Sequence, residues 1–127
     1  VLLQLLIKDI EFSVRVNSII ALGKIKDKSA LPALLKVLME DTSVDIRSQA
    51  ALALGEIGNK SVLPALLNVL SKDMFSGVRI SATVALSKIG DKSVASSLLG
   101  AMTEDEDYSV RDAAADSLRK MKMRIVK

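Results

Sequence analysis

The chain has 127 residues, with 18 Lys and Arg against 15 Asp and Glu, and a net charge of +3. Half of its residues are apolar and only 2% are aromatic, so its core must be built from Leu, Ile, Val and Ala. Cysteine and histidine are absent, which excludes disulfides, thiolate nucleophiles, imidazole bases and the usual zinc and haem ligands.

From this composition we expect a soluble, cytoplasmic protein that carries no cofactor and no metal. No apolar run approaches the roughly 20 residues that a bilayer-spanning helix needs. The excess positive charge lies in the last nine residues, and the rest of the chain is slightly acidic. The residues of this basic tail are Arg119, Lys120, Lys122, Arg124 and Lys127.

One 15-residue segment occurs in three similar copies at intervals of 32 residues. Residues 21–35 read ALGKIKDKSALPALL, residues 53–67 read ALGEIGNKSVLPALL, and residues 85–99 read ALSKIGDKSVASSLL. A constant interval of this size is typical of an array of one repeated supersecondary unit.

Every unit is predicted to hold two helices, which we call the A helix and the B helix. The A helix follows a Lys-Ser pair and carries Pro32 or Pro64 near its first turn, where proline is tolerated. A row of leucines forms its inward face. These are Leu31, Leu34, Leu35 and Leu38, with Leu63, Leu66, Leu67 and Leu70 one unit later.

The B helix is predicted to begin at a residue of N-cap type. The residues at this position are Ser13, Asp45, Gly77 and Ser109. The apolar residues of the B helix fall within an arc of about 100° around its axis. In the second unit they are Ile46, Ala50, Ala53, Leu54 and Ile57. Gly58 and Gly90 are predicted to close the helix, because glycine suits the left-handed residue found there.

A single hairpin cannot bury both of its apolar stripes, whereas stacked hairpins share one continuous core. Each buried Leu or Ile contributes roughly 1.5–3 kcal/mol, more than a surface ion pair at about 0–1 kcal/mol. The sequence therefore predicts an all-α solenoid of four stacked helical hairpins with a 32-residue repeat. The predicted units are 1–26, 27–58, 59–90 and 91–127, which together form one domain.

The unit resembles a HEAT repeat. It has proline in its first helix, Asp41 or Asp73 nine residues later, and Val-Arg or Ile-Arg at the start of its second helix. It is most similar to the short HEAT-like type named after phycobilisome lyases, whose pattern VRxxAxxALGxIGD matches residues 78–91 with Ser87 in place of glycine. The resemblance implies a right-handed superhelix with the B helices on its concave face, and functions that range from scaffolds and adaptors to lyase subunits.

The two ends of the chain depart from the pattern. Val1 aligns with Ala33, so the first A helix lacks its opening turn; it is either natively short or, as we favour, cut from a longer array. The last unit has Ser96 in the place of proline and exposes Asp112 and Asp116 on its final helix, as expected of a terminal capping repeat.

The outward side of the B helices is the predicted partner-binding face. Four positions of each B helix lie opposite the apolar stripe or beside it, and their residues differ between units while the core positions agree. We expect apolar anchors at Ile20, Leu52, Ile80 and Val84; the alternative is that these side chains are buried between units. The full predicted set is Val16, Asn17, Ile20, Lys24, Gln49, Leu52, Glu56, Ile80, Ser81, Val84 and Lys88.

An arginine recurs at the start of every B helix, each with an aspartate six residues upstream. Such a column could bind phosphate, but the resemblance implies a structural Asp-Arg ladder across the turns of the repeats. Its members are Asp41, Arg47, Asp73, Arg79, Asp105 and Arg111, with Asp9 and Arg15 in the same columns. The acidic run at 104–107 lacks the glycine-pivoted loop of a calcium site and is read as a solvated turn.

Nothing in the sequence favours catalysis, because it has no Gly-rich phosphate loop and no recognisable pair of nucleophile and base. We therefore predict a non-catalytic scaffold or adaptor whose partner is another protein. One alternative is a subunit of a bilin lyase or a related chaperone-like assembly. Another is nucleic-acid or anionic-membrane binding through the basic tail, although positive charge at a helix C-terminus also has an ordinary dipole explanation. Association through flanking repeats of a longer parent chain is a further expectation.

Overall fold

The computed structural model of the chain describes residues 2–126, with side chains at positions 3, 4, 6, 7 and 9–122. Within this range it has seven α-helices and no strand. Their bounds are α1 Leu2–Ile25, α2 Leu31–Glu40, α3 Val44–Ile57, α4 Leu63–Lys72, α5 Ser76–Ile89, α6 Ala95–Glu104 and α7 Tyr108–Val126. A short 3-10 turn precedes each of α2, α4 and α6.

The helices form two layers. The A helices α2, α4 and α6 each fold back onto the B helix that follows, through a link of three residues. The B helices stack side by side in the order α1, α3, α5, α7, whereas A helices of neighbouring units barely touch. The B helices are therefore the more closely packed layer of the stack. The predicted helical solenoid is confirmed.

The first unit differs from the expected hairpin. Residues 2–25 form one continuous helix, so the break predicted at Ser13 is wrong in this unit. The three residues that would form the link are Asp9, Ile10 and Glu11, where the second unit has the turn-forming sequence Asp41, Thr42, Ser43. Glu11 stands at the position of the N-cap Ser43 and is not a residue type that favours a helix start. The described chain therefore holds three hairpins and one long helix.

The predicted core stripe of the B helix is buried where an A helix covers it. Ile46, Ala50 and Leu54 are completely buried in α3, and the same positions of α5 are also inaccessible. In α1 the equivalent Val14 is 58% exposed and Ile25 is 69% exposed. The stripe is therefore present in all four units but is covered in only three of them.

The B helices begin two residues earlier than predicted. The N-cap of α3 is Ser43 and not Asp45, and its hydroxyl accepts a hydrogen bond of 3.2 Å from the amide of Ile46. The N-cap of α5 is Phe75 and not Gly77, and α7 begins at Tyr108, just before Ser109. The true signal is the aspartate that opens each link, because its carboxylate accepts the amide hydrogen two residues later. These bonds are Asp41 to Ser43 at 2.9 Å, Asp73 to Phe75 at 3.0 Å and Asp105 to Asp107 at 2.9 Å.

The predicted helix ends are confirmed. Gly58 and Gly90 have φ angles of 76° and 74°, which place both in the left-handed region that glycine adopts without strain. Pro32 and Pro64 lie in the first turn of α2 and α4, where the missing amide hydrogen costs nothing.

Small residues let the B helices approach one another closely. A Cβ atom added to Gly55 of α3 would lie 2.6 Å from Cα and 2.8 Å from Cβ of Ala85 in α5. The same contact recurs one unit earlier, where a Cβ on Gly23 would lie 3.0 Å from Cα of Ala53. Each glycine therefore fixes the spacing between two adjacent B helices.

We predict that Gly55→Ala lowers the free energy of unfolding by about 1–3 kcal/mol, because α3 and α5 must separate to admit the methyl group. Gly100→Ala in α6 is the matched control: its added Cβ meets nothing within 4 Å. There alanine should stabilise the helix by up to about 1 kcal/mol. Urea denaturation followed by circular dichroism measures both. Equal effects of the two substitutions would contradict the close-packing account.

Candidate functional site

The outward side of the B layer presents an apolar row that crosses three helices. Its members are Ile20 on α1, Leu52 on α3 and Val84 on α5, spaced 32 residues apart, and we call this row the B-face ridge. Ile20 and Val84 are 36% and 37% exposed, and Leu52 is half-buried. The next position in the row is Asp116 on α7, so the apolar row ends there.

The other predicted anchors are more enclosed. Val16 and Ile80 are partly buried and pack against the core, so they form the base of the ridge. Of the flanking residues, Asn17 and Lys24 are exposed and Gln49 is half-buried. Ser81 was expected on this face but is only 8% exposed. Its hydroxyl donates to the carbonyl of Gly77 within α5, so including it among the binding residues was wrong.

Several of the charges beside the ridge are paired with one another, while Lys24 on α1 is exposed. Lys88 on α5 bonds to Glu56 on α3 and so bridges two units. On α7, Asp116 bonds to Arg119 and, at 3.0 Å, to Lys120. The Lys120 hydrogen bond is the main reason that the pKa of Asp116 lies below its usual value. A ligand on this face therefore meets apolar side chains and mostly compensated charges.

The arginine column connects neighbouring units. Arg79 on α5 donates from Nε and Nη2 to the carboxylate of Asp105, at 3.0 and 3.2 Å, in the link before α7. Its Nη1 donates to the backbone carbonyl of Asp73, at 2.8 Å, in the link before its own helix. Arg79 thus clamps two links, and the carboxylate partner lies 26 residues downstream and not six upstream.

The same clamp recurs along the stack. Arg47 donates to the Asp73 carboxylate at 3.2 Å and to the Asp41 carbonyl at 2.9 Å. Arg111 donates to the Asp105 carbonyl at 2.6 Å. Arg15 bonds to the carboxylate of Asp41. Arg47 and Arg79 are enclosed and bonded to carboxylates, with side chains only 12% and 7% exposed, so neither is open to a phosphate group.

Two aromatic rings extend the clamp. The guanidinium carbon of Arg47 lies 5.6 Å from the centre of the Phe75 ring, and that of Arg111 lies 5.7 Å from the Tyr108 ring. Both distances are within the range of cation–π contacts. The arginines therefore hold the links by charge, by hydrogen bonds and by ring contacts.

In the acidic turn at 104–107, aspartate side chains accept hydrogen bonds from nearby backbone amides. Asp105 accepts from the amide of Asp107, and Asp107 accepts from the amide of Ser109 at 2.7 Å. The Ser109 bond is the main cause of the lowered pKa of Asp107. Among the side chains that the structure places, no group of three or more His, Cys, Asp or Glu could hold a metal ion. No helix in residues 2–126 is long and apolar enough to cross a membrane.

Sequence reasoning missed a groove in the A layer. It has a volume of about 620 Å³ and lies between α4 and α6, with Pro64 and Leu67 on one wall. Gly100 and Ala101 form part of the other wall, where the preceding unit has Asn68 and Val69. The replacement of larger side chains by smaller ones was the only available signal.

Only part of the basic tail is described. Arg119 and Lys120 pair with Asp116, while the side chains of Arg124 and Lys127 lie outside the described residues. Residues 119–126 of the tail belong to the C-terminal part of α7.

The comparisons with known proteins agree with this architecture. A family model described as HEAT repeats matches residues 1–82 and again residues 33–119. The match does not distinguish the phycobilisome-lyase type from other repeats of this family. A search of curated proteins found no match.

We predict that Arg79→Leu lowers the free energy of unfolding by about 3 kcal/mol or more, because it leaves a buried carboxylate and carbonyl without their donor. Arg15→Leu is the matched control in the same column. The Arg15 side chain is 51% exposed, so we expect a loss of less than about 1 kcal/mol. Chemical denaturation measures both. A loss at Arg79 no larger than that at Arg15 would show that the clamp carries little stability.

The environment of Asp41 predicts that the free energy of unfolding depends on pH in the acid range. Burial would raise the pKa of Asp41, but the Ser43 amide and the Arg15 guanidinium outweigh it and hold the pKa below its usual value. The stabilisation by the ionised Asp41 carboxylate is therefore complete above the pKa of about 4 that the group has in the unfolded chain. It is lost as the pH falls through the lower pKa that the group has in the folded protein. Asp41→Asn should be less stable than the parent at pH 7, with the difference shrinking towards pH 2. A difference independent of pH would contradict this.

Proposed function

This chain belongs to the HEAT-repeat family, and from that premise we propose that it is a non-catalytic scaffold or adaptor whose protein partner docks on the B-face ridge. HEAT repeats commonly serve as protein-interaction scaffolds. Beyond this general role of the family, we propose which face of the molecule binds the partner and which residues make the contacts. Its central contacts are Ile20, Leu52 and Val84, with Val16 and Ile80 below them.

The exposure of the ridge carries the proposal. The other apolar columns of α3 and α5 face inward and are buried, whereas Ile20 and Val84 keep more than a third of their surface accessible. A row of apolar side chains across three helices provides a continuous contact surface, and such patches on otherwise polar surfaces tend to be functional. The residues in this row also differ between units, although the stack itself would accept the same residue each time.

The surroundings of the ridge indicate the chemistry of the partner. Glu56 and Lys88 neutralise each other beside the ridge, so a charged ligand would gain little there. Adjacent packed helices lie about 8–10 Å apart, so the three-helix ridge spans on the order of 20 Å. That length suits an apolar face of about four helical turns. We expect the partner to present such a face and its binding to depend weakly on salt.

The alternatives fit the surface less well. Of the basic side chains of the tail, Arg119 and Lys120 already share Asp116 as a partner, which lowers their net positive charge. Nucleic-acid binding through the tail would also weaken steeply with salt. A bilin lyase subunit would use the molecule to hold a partner, as a scaffold does, and no feature of the described residues points to a bilin.

The test is affinity capture from the native host with the parent chain and with the double variant Ile20→Asp, Val84→Asp. Burying carboxylates against an apolar partner should weaken retention of the specific partner at least about tenfold, since one central contact is often worth more than about 1 kcal/mol. The two side chains are exposed, so the helical content should be unchanged.

The control is Leu99→Asp, which replaces a side chain that is also exposed but lies on α6 in the A layer. This variant should retain the partner as the parent does. Equal retention by all three proteins would refute binding at the ridge. Loss of circular dichroism in the double variant would show that the row belongs to the core. Retention that survives high salt separates a protein partner from nucleic acid.

A further inference from the structure

The charges of the stack are divided between its two edges. The links that lead from an A helix to a B helix all lie at one edge, since Arg47 and Arg79 each bond to the aspartate of the next such link. Residues 40–48, 72–80 and 104–112 at this edge hold nine carboxylates against four basic side chains. We call these three segments the acidic edge.

The opposite edge carries an excess of lysine. It is formed by the turns that lead from a B helix to the next A helix, and Lys60 of one turn bonds to Asp91 of the next at 3.3 Å. Residues 24–28, 56–60 and 88–92 hold six lysines against three carboxylates, and we call them the basic edge. The two ends of the helices therefore carry charge of opposite sign.

Helix dipoles do not account for this division. At either edge the helices of one layer begin and those of the other layer end, so their dipoles oppose each other. Glu40 and Glu104 are the last residues of α2 and α6, where negative charge is unfavourable. Lys28, Lys60 and Lys92 open the turns that lead into the A helices, where positive charge is unfavourable. The division of charge therefore has another origin.

One lysine of the basic edge occupies a strained position. Lys26 has a φ angle of 61°, and the next two units have Gly58 and Gly90 at this position. Left-handed backbone is less favourable for a residue with a Cβ atom than for glycine. What lysine adds here over glycine is an exposed positive charge. Strain of this kind is often found at functional sites.

The B-face ridge runs between the two edges and has a free charge on either side. Lys24 follows Ile20 by four residues, and Asp45 precedes Leu52 by seven. Both lie within about 40° of the ridge around their helix axes, at about 6 Å and 10 Å along them. Both side chains are exposed, and neither forms an ion pair with another residue that the structure describes.

We propose that the partner on the B-face ridge is an amphipathic helix with carboxylates along one flank of its apolar face and basic side chains along the other, and that these flanks fix the direction in which it binds. This inference rests on the proposed docking at the ridge. A helix with its side chains is about 10–12 Å across. Laid along the ridge, it reaches Lys24 with one flank and Asp45 or the exposed Asp112 of α7 with the other.

The direction follows from the charges of the two edges. Turning the partner helix end for end exchanges its flanks, so only one direction places unlike charges together at both edges. The apolar contact is common to both directions and supplies most of the affinity. Charge complementarity then acts mainly on orientation, which agrees with a weak dependence of the overall affinity on salt. We expect the favoured direction to be populated about tenfold more than the reverse.

Three synthetic helical peptides of about 20 residues, roughly 30 Å long, test the role of the flanks. All share one apolar face and equal numbers of Glu and Lys. The first has Glu on one flank and Lys on the other, the second has these flanks exchanged, and the third has both residue types mixed on each flank. In fluorescence anisotropy titrations, the first two should bind the parent chain about three- to tenfold more tightly than the third. This advantage should vanish at about 1 M salt, where the Debye length is about 3 Å.

Charge reversal on the chain tests which edge is read. Lys24→Glu should reduce the advantage of the two segregated peptides over the mixed one. Lys36→Glu is the matched control, since Lys36 is an exposed lysine of α2 in the A layer. It should leave the advantage unchanged. Equal effects of the two substitutions would contradict pairing at the basic edge.

Cross-linking tests the direction, since the chain has no cysteine of its own. Ser13→Cys on α1 and Ser109→Cys on α7 introduce a thiol at an exposed, equivalent position at either end of the stack. Each peptide carries one cysteine at its N-terminus. Under oxidation, the first peptide should form a disulfide mainly with one variant and the second peptide mainly with the other.

The outcomes separate this inference from the proposed function. Equal affinities of the three peptides, with equal cross-linking at both ends, would overturn the inference. Docking at the ridge would then still stand if Ile20→Asp, Val84→Asp weakens all three peptides. Segregated peptides that bind this double variant as they bind the parent would place the site elsewhere and overturn the inference. If no peptide binds, a helical partner is refuted, and the capture experiment decides separately whether a protein docks at the ridge.

Discussion

The arginines at the start of α3 and α5 are the contacts on which the stack depends, because each binds two links at once. Arg79 donates to the carbonyl of Asp73 in its own unit and to the carboxylate of Asp105 in the next. The first bond sets the angle at which the A and B helices meet, and the second sets the position of the following hairpin. The close approach at Gly55 can then form, since both helices are already held in place.

The first unit departs from the later ones in its link. Arg15 bonds to the carboxylate of Asp41 in the next unit, as Arg47 and Arg79 do to theirs. The link itself carries Ile10 and Glu11 where the second unit has Thr42 and Ser43. The helix runs through this link, and the stripe that begins at Val14 stays uncovered. Two different residues in this link, Ile10 and Glu11, thus accompany a different tertiary surface along the whole of α1.

The sequence was sufficient for the repeat, the two-helix unit, the core stripe and the glycine caps, because each is set by residues within about one turn of each other. The sequence was insufficient to predict contacts and burial that depend on residues far apart in the chain. The carboxylate partner of Arg79 lies 26 residues downstream, and no spacing rule distinguishes it from the aspartate six residues upstream. The burial of Ser81 and the exposure of Val14 also depend on which helix lies alongside, and that follows only from the assembled stack.

The exposed apolar residues Val14 and Ile25 of α1 lie on a different part of the helix surface from the B-face ridge, since Val14 and Ile20 are about 120° apart around the axis. Val14 and Ile25 are exposed where the later units place an A helix, whereas Ile20 lies on the outward side of the B layer. At the other end of the stack the ridge stops at Asp116, which is paired with basic side chains of its own helix. The molecule is thus apolar at one end and charged at the other.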